Sequence, residues 1–212
     1  MNSINLTEIP AHYINLKKDV EKNKNVSNLL TNLGFITIKR HDGILHDKSN
    51  VGCSRAHYQA LKKLNTPFIL FEDDVVELDF KKNIHIPIDA DAIYLGNSSW
   101  GRFNSSSGPF LRYRKETNEL YRIFNMLSGH AILYLSEEYK EVCKKISYYF
   151  GYVLEDHYQD IGFAEIQKYF NVYCFNSPMF FQTSNPEATN KKLMEYPIEK
   201  VDNGDFFLPT DV

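Results

Sequence analysis

With 212 residues, 43% of them hydrophobic and 24% charged, the chain is long enough to bury a core and has the balance of a globular domain in water. A formal net charge of −3 excludes a general basic field for nucleic acid or an anionic membrane surface, and no apolar run approaches the length of a membrane span. Three widely spaced cysteines, Cys53, Cys143 and Cys174, argue against a disulfide framework, and "MNSINLTEIP" lacks the basic and apolar regions of a secretory leader. Together these features predict a cytoplasmic location.

"AHYINL" (11–16) alternates and predicts a first strand. Asp19 then caps a helix with Val26, Leu29, Leu30 and Leu33 on one face, Gly34 ends it, and "FITIKR" (35–40) is the next strand. After a polar loop, Ser54 is the expected N-cap of a helix carrying His57, Ala60, Leu61 and Leu64, stopped by Asn65-Thr66-Pro67. "FILF" follows as a third strand. This β-α-β-α-β order predicts an α/β fold with a mixed, mainly parallel sheet flanked by helices.

In the second half, "DAIYLGNS" (91–98) predicts a strand and "SSWGRFNSSSGP" a mobile loop, whose Trp100 and Phe103 are candidates to stack on a sugar or to form a lid. "FLRYRKE" and "LYRIFNM" pair as a hairpin across 116–119. "AILYL" is a strand leading to Ser136, the N-cap of a helix with Glu137 and Glu138 in its first turn. A further helix is expected from about Glu155 to Tyr169, then a strand over "NVYCFN". No repeat or linker divides the chain, which predicts a single domain over 1–212 with a core at about 11–182 and a polar tail at 183–212.

The chemically distinctive stretch is "PFILFEDDVV" (67–76), where an apolar strand runs into Glu72, Asp73 and Asp74. Ligands of an α/β sheet bind beyond the carboxyl ends of its strands, so these acids stand where a site would form. Adjacent carboxylates repel, and a hard divalent cation, Mn²⁺ or Mg²⁺, relieves that repulsion while keeping positions for phosphate oxygens. In extended chain Glu72 and Asp74 point to one side and Asp73 to the other.

The order of motifs resembles glycosyltransferase family 25, the lipopolysaccharide and collagen sugar transferases of the GT-A fold. The segments that carry it are "HYINLKKD", "RHDGI", "GCSRAHYQAL" followed by "FILFEDD", "SGHAILYLSEEYKEVCKKI", and "LEDHYQD" with "VYCFNSPMFFQ". Lys17 and Lys18 stand where the family usually has arginine, and Ser54 and His57 are at shifted spacing. The resemblance implies a GT-A, Rossmann-like nucleotide-binding fold and an inverting transferase that takes its sugar from a nucleotide-sugar donor, a UDP-sugar by preference, and passes it to a glycan acceptor. It implies Asp74 as the main metal ligand with Glu72, and Glu72 or Asp73 on the ribose or a metal-bound water. A narrower resemblance, to viral sugar transferases that glycosylate capsids, implies a capsid glycan as acceptor in the host cytosol.

Inverting transfer needs a general base for the acceptor hydroxyl. The late acidic motif offers Asp156 first, with Glu155 and Asp160 behind it; at i, i+4 on the expected helix, Asp156 and Asp160 share a face. Asn15, Leu16, Lys17, Arg40 and Asp42 fall where the first two strands end and can border the nucleoside, and Arg55 with Lys17 can neutralise diphosphate. Two other functions use the same acids: a module that holds nucleotide or glycan without turnover, and a metal-dependent nucleotidyltransferase. A glycine-rich phosphate loop would favour the latter, and Gly52 stands alone.

Overall fold

The computed structural model describes residues 1–183. Its strands are β1 (Asn2–Asn5), β2 (Ala11–Asn15), β3 (Ile38–Asp42), β4 (Phe68–Glu72), β5 (Val75–Glu77), β6 (Asn83–Ile86), β7 (Ala92–Tyr94), β8 (Gly101–Phe103), β9 (Ser106–Gly108), β10 (Tyr113–Lys115), β11 (Leu120–Ile123), β12 (Ala131–Tyr134), β13 (Val172–Phe175) and β14 (Phe180–Gln182). Its α-helices are α1 (Val20–Asn32), α2 (Ser49–Leu61), α3 (Glu137–Tyr148) and α4 (Gln159–Ile166). Beyond Thr183 the expected polar tail lies outside the described residues.

Eight strands form one sheet in the order β10-β11-β13-β7-β12-β4-β2-β3. Parallel pairing holds for β2 with β3, β2 with β4 and β13 with β7, as the crossover pattern requires. The sheet is nevertheless mixed rather than mainly parallel, because β12 lies antiparallel between β4 and β7, and β10 and β11 continue antiparallel beyond β13. Strand alternation divides the core into two layers. Tyr13, Ile69, Phe71, Ile93 and Leu133 face α1, whose Val26 and Leu30 are buried, and the β1–β6 ladder. Phe68, Leu70, Tyr94, Ile132 and Tyr134 face α2, α3 and α4 through Leu61, Tyr139, Cys143 and Phe163. Burying each such large side chain contributes roughly 1.5–3 kcal/mol.

Local signals explain most element ends. Gly34 adopts φ 86°, and the Phe35 and Gly34 amides close on the Leu30 and Thr31 carbonyls, so α1 ends in the left-handed cap that glycine permits. Ser136 caps α3 by accepting the Tyr139 amide. Three expectations fail. The helix at 49–61 begins at Ser49 after Lys48, which leaves Ser54 buried mid-helix rather than capping. The 98–108 loop contains the β8–β9 hairpin, turned by Asn104 and Ser105 with φ of 46° and 62°. The helix expected from Glu155 begins instead at Gln159: α3 runs on as a π turn over Tyr149–Leu154, and Glu155 and His157, at φ 48° and 63°, break the helix.

The edge strand β3 and its neighbour β2 carry an acid-sensitive contact. His12 of β2 and His41 of β3 share one hydrogen bond of 2.9 Å, and His12 is 5% exposed. Burial, then the charges of His41 and Lys39, push His12 down from 6.5 to about 4. His41 is lowered as well, chiefly by burial. The unfolded chain therefore binds more protons than the folded one between these values. Stability is full above pH 6.5 and falls as the pH drops toward 4, by about 2 kcal/mol for His12 after allowance for solvent screening. The urea midpoint is expected to fall between pH 7.5 and 5, and His12→Gln to flatten that slope; an unchanged wild-type midpoint would contradict the account.

Candidate functional site

β2 leads through α1 to β3 on one side, and β3 leads through α2 to β4 on the other side of β2, so the carboxyl ends of β2 and β4 border a point where the strand order reverses. Crevices of this kind receive ligands in open α/β sheets. Register places Ile14 opposite Glu72 and Asn15 opposite Asp42, which sets the acids beside the ends of all three strands.

The turn at Asp73 and Asp74, between β4 and β5, sends the acids two ways. Asp73 accepts from Asn15 Nδ2 at 2.7 Å and lies 3.4 Å from Lys22 Nζ. Asn15, 2% exposed, is held in turn by Arg40, whose Nε donates to Asn15 Oδ1 at 3.0 Å and whose Nη2 donates to the Asn15 carbonyl at 3.2 Å. Arg40 also pairs with Asp42 at 3.0 Å. Of the residues expected to border a nucleoside, Asn15, Arg40, Asp42 and Asp73 are thus one connected group. Leu16 is half-buried beside them, with Gly43 packed against its backbone so closely that a Cβ there would lie 2.9 Å from the Leu16 nitrogen. Lys17 is exposed on the following turn.

Glu72 and Asp74 point to the other side and converge on one atom. Gln182 Nε2 donates to Glu72 Oε2 at 2.6 Å and to Asp74 Oδ2 at 3.3 Å. The β5–β14 ladder, extended by the Thr183 amide on the Asp74 carbonyl, delivers Gln182 to this point. The other oxygen of Glu72 is held from α2: His57 Nε2 donates to Oε1 at 3.2 Å, and Cys53 Sγ approaches it at 3.9 Å. Burial raises the Glu72 carboxyl, but the hydrogen bond and charge of His57, with His130 and Lys22, outweigh it, so Glu72 is held below the usual range and ionised. Burial pushes the Cys53 thiol well up, which keeps it protonated.

The three expected bases separate. Asp160, in the first turn of α4, faces Glu72; burial, then the Glu72 charge, push it up to about 6. Gly129 lies beside both, since a Cβ there would meet Gln159 Nε2 at 3.4 Å, Glu72 Oε1 at 3.6 Å and Asp160 Cβ at 3.8 Å. Asp156 is exposed in the loop before α4, accepts from Asn50 at 3.2 Å, and is lowered first by the His157 amide. Neither it nor Glu155 is at a helix N-terminus, and Asp156 and Asp160 share no helix face. Glu155 pairs with Arg55, which also donates to the Gly151 carbonyl at 2.7 Å and lies over Tyr152. Arg55 is therefore engaged with the π turn.

Two metal-ligand sets meet at Glu72. Glu72 and Asp74 are an all-oxygen pair suited to Mg²⁺ or Mn²⁺. Cys53, His57 and Glu72 have ligand atoms within 4.8 Å of one another and form a softer set, nearer the preference of zinc. The sequence marks neither Cys53 nor Gln182 as a site residue, and His57 reads there as packing; the i, i+4 spacing of Cys53 and His57 on α2 is the available signal. His130 lies in the core, 1% exposed, between Ser128 and the Phe180 carbonyl. Among the described residues, no helix is long and apolar enough to cross a membrane. No protein-family model matches the chain, and no curated protein matches it.

Proposed function

We propose that this chain is a metal-dependent glycosyltransferase of GT-A architecture, which moves a sugar from a nucleotide-sugar donor, a UDP-sugar first among them, to a glycan hydroxyl with inversion. One observation carries the reading: the carboxylates of Glu72 and Asp74 converge on a single donor atom, Gln182 Nε2, at the sheet's order-reversal point. An amide that donates to both carboxylates stands where a cation binding both would be favoured, and hard oxygen ligands at a strand end suit Mn²⁺ or Mg²⁺. Asp74 with Glu72 would hold the ion, which when bound supplies Lewis-acid stabilisation to a leaving diphosphate. His57 keeps Glu72 Oε1 occupied and so presents Oε2 toward Asp74.

The linked group Arg40, Asn15 and Asp73, with Asp42, supports the nucleoside end of the same reading: it combines a cation, an amide and carboxylates at adjacent strand ends. Lys17, exposed on the next turn, is free to approach phosphate. Asp160 is the carboxylate placed beside Glu72, where an acceptor hydroxyl would lose its proton.

The test is a panel of nucleotide sugars with Mn²⁺, read as free nucleoside diphosphate. Slow, EDTA-sensitive hydrolysis of one donor is expected. Donor binding without release would favour a non-catalytic nucleotide- or glycan-binding module, and pyrophosphate release would favour a nucleotidyltransferase. Inhibition of the manganese reaction by stoichiometric Zn²⁺, lost in Cys53→Ser, would assign the softer ligand set to zinc.

A further inference from the structure

A cavity of about 870 Å³, lined by none of the acidic-cluster residues, lies between the β8–β9 hairpin, the β10–β11 hairpin and the last turn of α4. Its lining holds Arg102, Arg112, Arg114, Arg122 and Lys168 against one carboxylate, Glu165. The sheet concentrates these charges: Arg114 and Arg122 are direct cross-strand partners, and the Phe124 amide on the Arg112 carbonyl extends the same ladder. Like charges placed directly opposite in a ladder oppose its formation. Two of the cations are relieved locally, Arg102 by Glu165 at 3.2 Å and Arg114 by Glu116. Arg112 and Arg122 have no carboxylate partner among the described residues; Arg122 Nη2 donates to the Phe170 carbonyl at 3.3 Å, and the Nε atom of each arginine is buried without a hydrogen-bond partner.

Aromatic faces fix the planes of these two groups. The Arg112 guanidinium lies 4.0 Å over the Phe103 ring, and that of Arg122 lies 5.4 Å from the centre of Phe124. Planar guanidinium forks beside aromatic faces match oxyanions in a bidentate manner. The volume of this open cavity is that of a small-molecule site, and a net charge of −3 gives no wider field for a nucleic acid.

We infer that this cavity is a second binding site, for a small polyanion that carries phosphate or sulfate groups on an apolar or ring-shaped body. The anion neutralises the Arg112, Arg114 and Arg122 face while Phe103 and Phe124 pack against the body. The site shares no residue with the acidic cluster, so the inference is independent of the transferase reading.

Titration calorimetry and thermal unfolding of the full chain, in EDTA and low salt, test it with inorganic pyrophosphate, a sulfated disaccharide and the same disaccharide unsulfated. Both anions are expected to bind and raise Tm, the neutral sugar is not, and the tighter anion identifies the preferred group. Arg122→Gln is expected to weaken binding at least tenfold. Because Arg122 is half-buried, so that its substitution also tests folding, Arg114→Gln at an exposed position serves beside it, with several-fold weaker binding and an unchanged or raised Tm without anion. Asp74→Ala is expected to bind both anions as wild type does. Absence of binding by either anion, or equal binding in both arginine variants, would overturn the inference.

Discussion

Asp74→Ala is expected to lower metal-dependent release of nucleoside diphosphate by at least about 100-fold, the scale on which removing one preorganised charge-stabilising group acts. The fold is expected to survive. The Asp74 side chain accepts from Gln182 at 3.3 Å, and its backbone carbonyl, which the substitution leaves in place, accepts the Thr183 amide and hydroxyl at 2.9 Å each. In the absence of metal the variant loses one of several carboxylates gathered near Glu72, so its Tm is expected to equal or exceed that of wild type. With Mn²⁺ the order reverses: a ligand at 100 times its Kd stabilises the folded state by about 2.7 kcal/mol, and the variant forfeits that gain. The pairing of a neutral effect without metal and a loss with it separates a ligand role from a structural one. Manganese stabilisation that persists in Asp74→Ala would move the ion elsewhere, and the Cys53, His57 and Glu72 set is then the alternative to test.

What could be read from the sequence was local. The alternation of "AHYINL", the spacing of Val26 and Leu30, Gly34 and Ser136 each act within one or two turns of chain, and each appears as expected. The opposite sidedness of Asp73 and the Glu72–Asp74 pair appears as expected, although Asp73 and Asp74 form the turn between β4 and β5 rather than extended chain. Strand direction was not legible. β12 is buried along its whole length, as a central parallel strand would be, and nothing in "AILY" marks it as antiparallel to β4. The early stop before α4 was equally hidden, since Glu155 and His157 take positive φ without being glycine. Gln182 reaches the acids from 110 residues downstream in sequence, through a three-residue ladder that has meaning only once β5 exists. The acidic pair was therefore visible, and the groups that orient it were not.

The second large effect concerns the base, where sequence order and spatial order disagree. Asp160→Asn is expected to reduce sugar transfer by about 10²- to 10⁴-fold, the range of a general-base contribution, while donor affinity changes little. Asp156→Asn is expected to leave transfer within a few-fold. Both substitutions remove a charge and keep the shape, so position alone distinguishes them. Asp160 and Glu72 both border Gly129, and the Glu72 charge acts on Asp160. Asp156 has a side chain 57% exposed and turns to Asn50 and its own loop amide. An acceptor hydroxyl must lose its proton beside the sugar carried by the donor, and the donor's phosphates are proposed to sit at Glu72 and Asp74. A carboxylate next to Glu72 is within reach of that place; one held by an exposed loop reaches it only if the loop closes over the donor. Rates for the two variants under saturating donor, compared with donor affinity by calorimetry, decide the matter. Loss of transfer in Asp156→Asn with Asp160→Asn active would make loop 155–158 a closing element that carries the base.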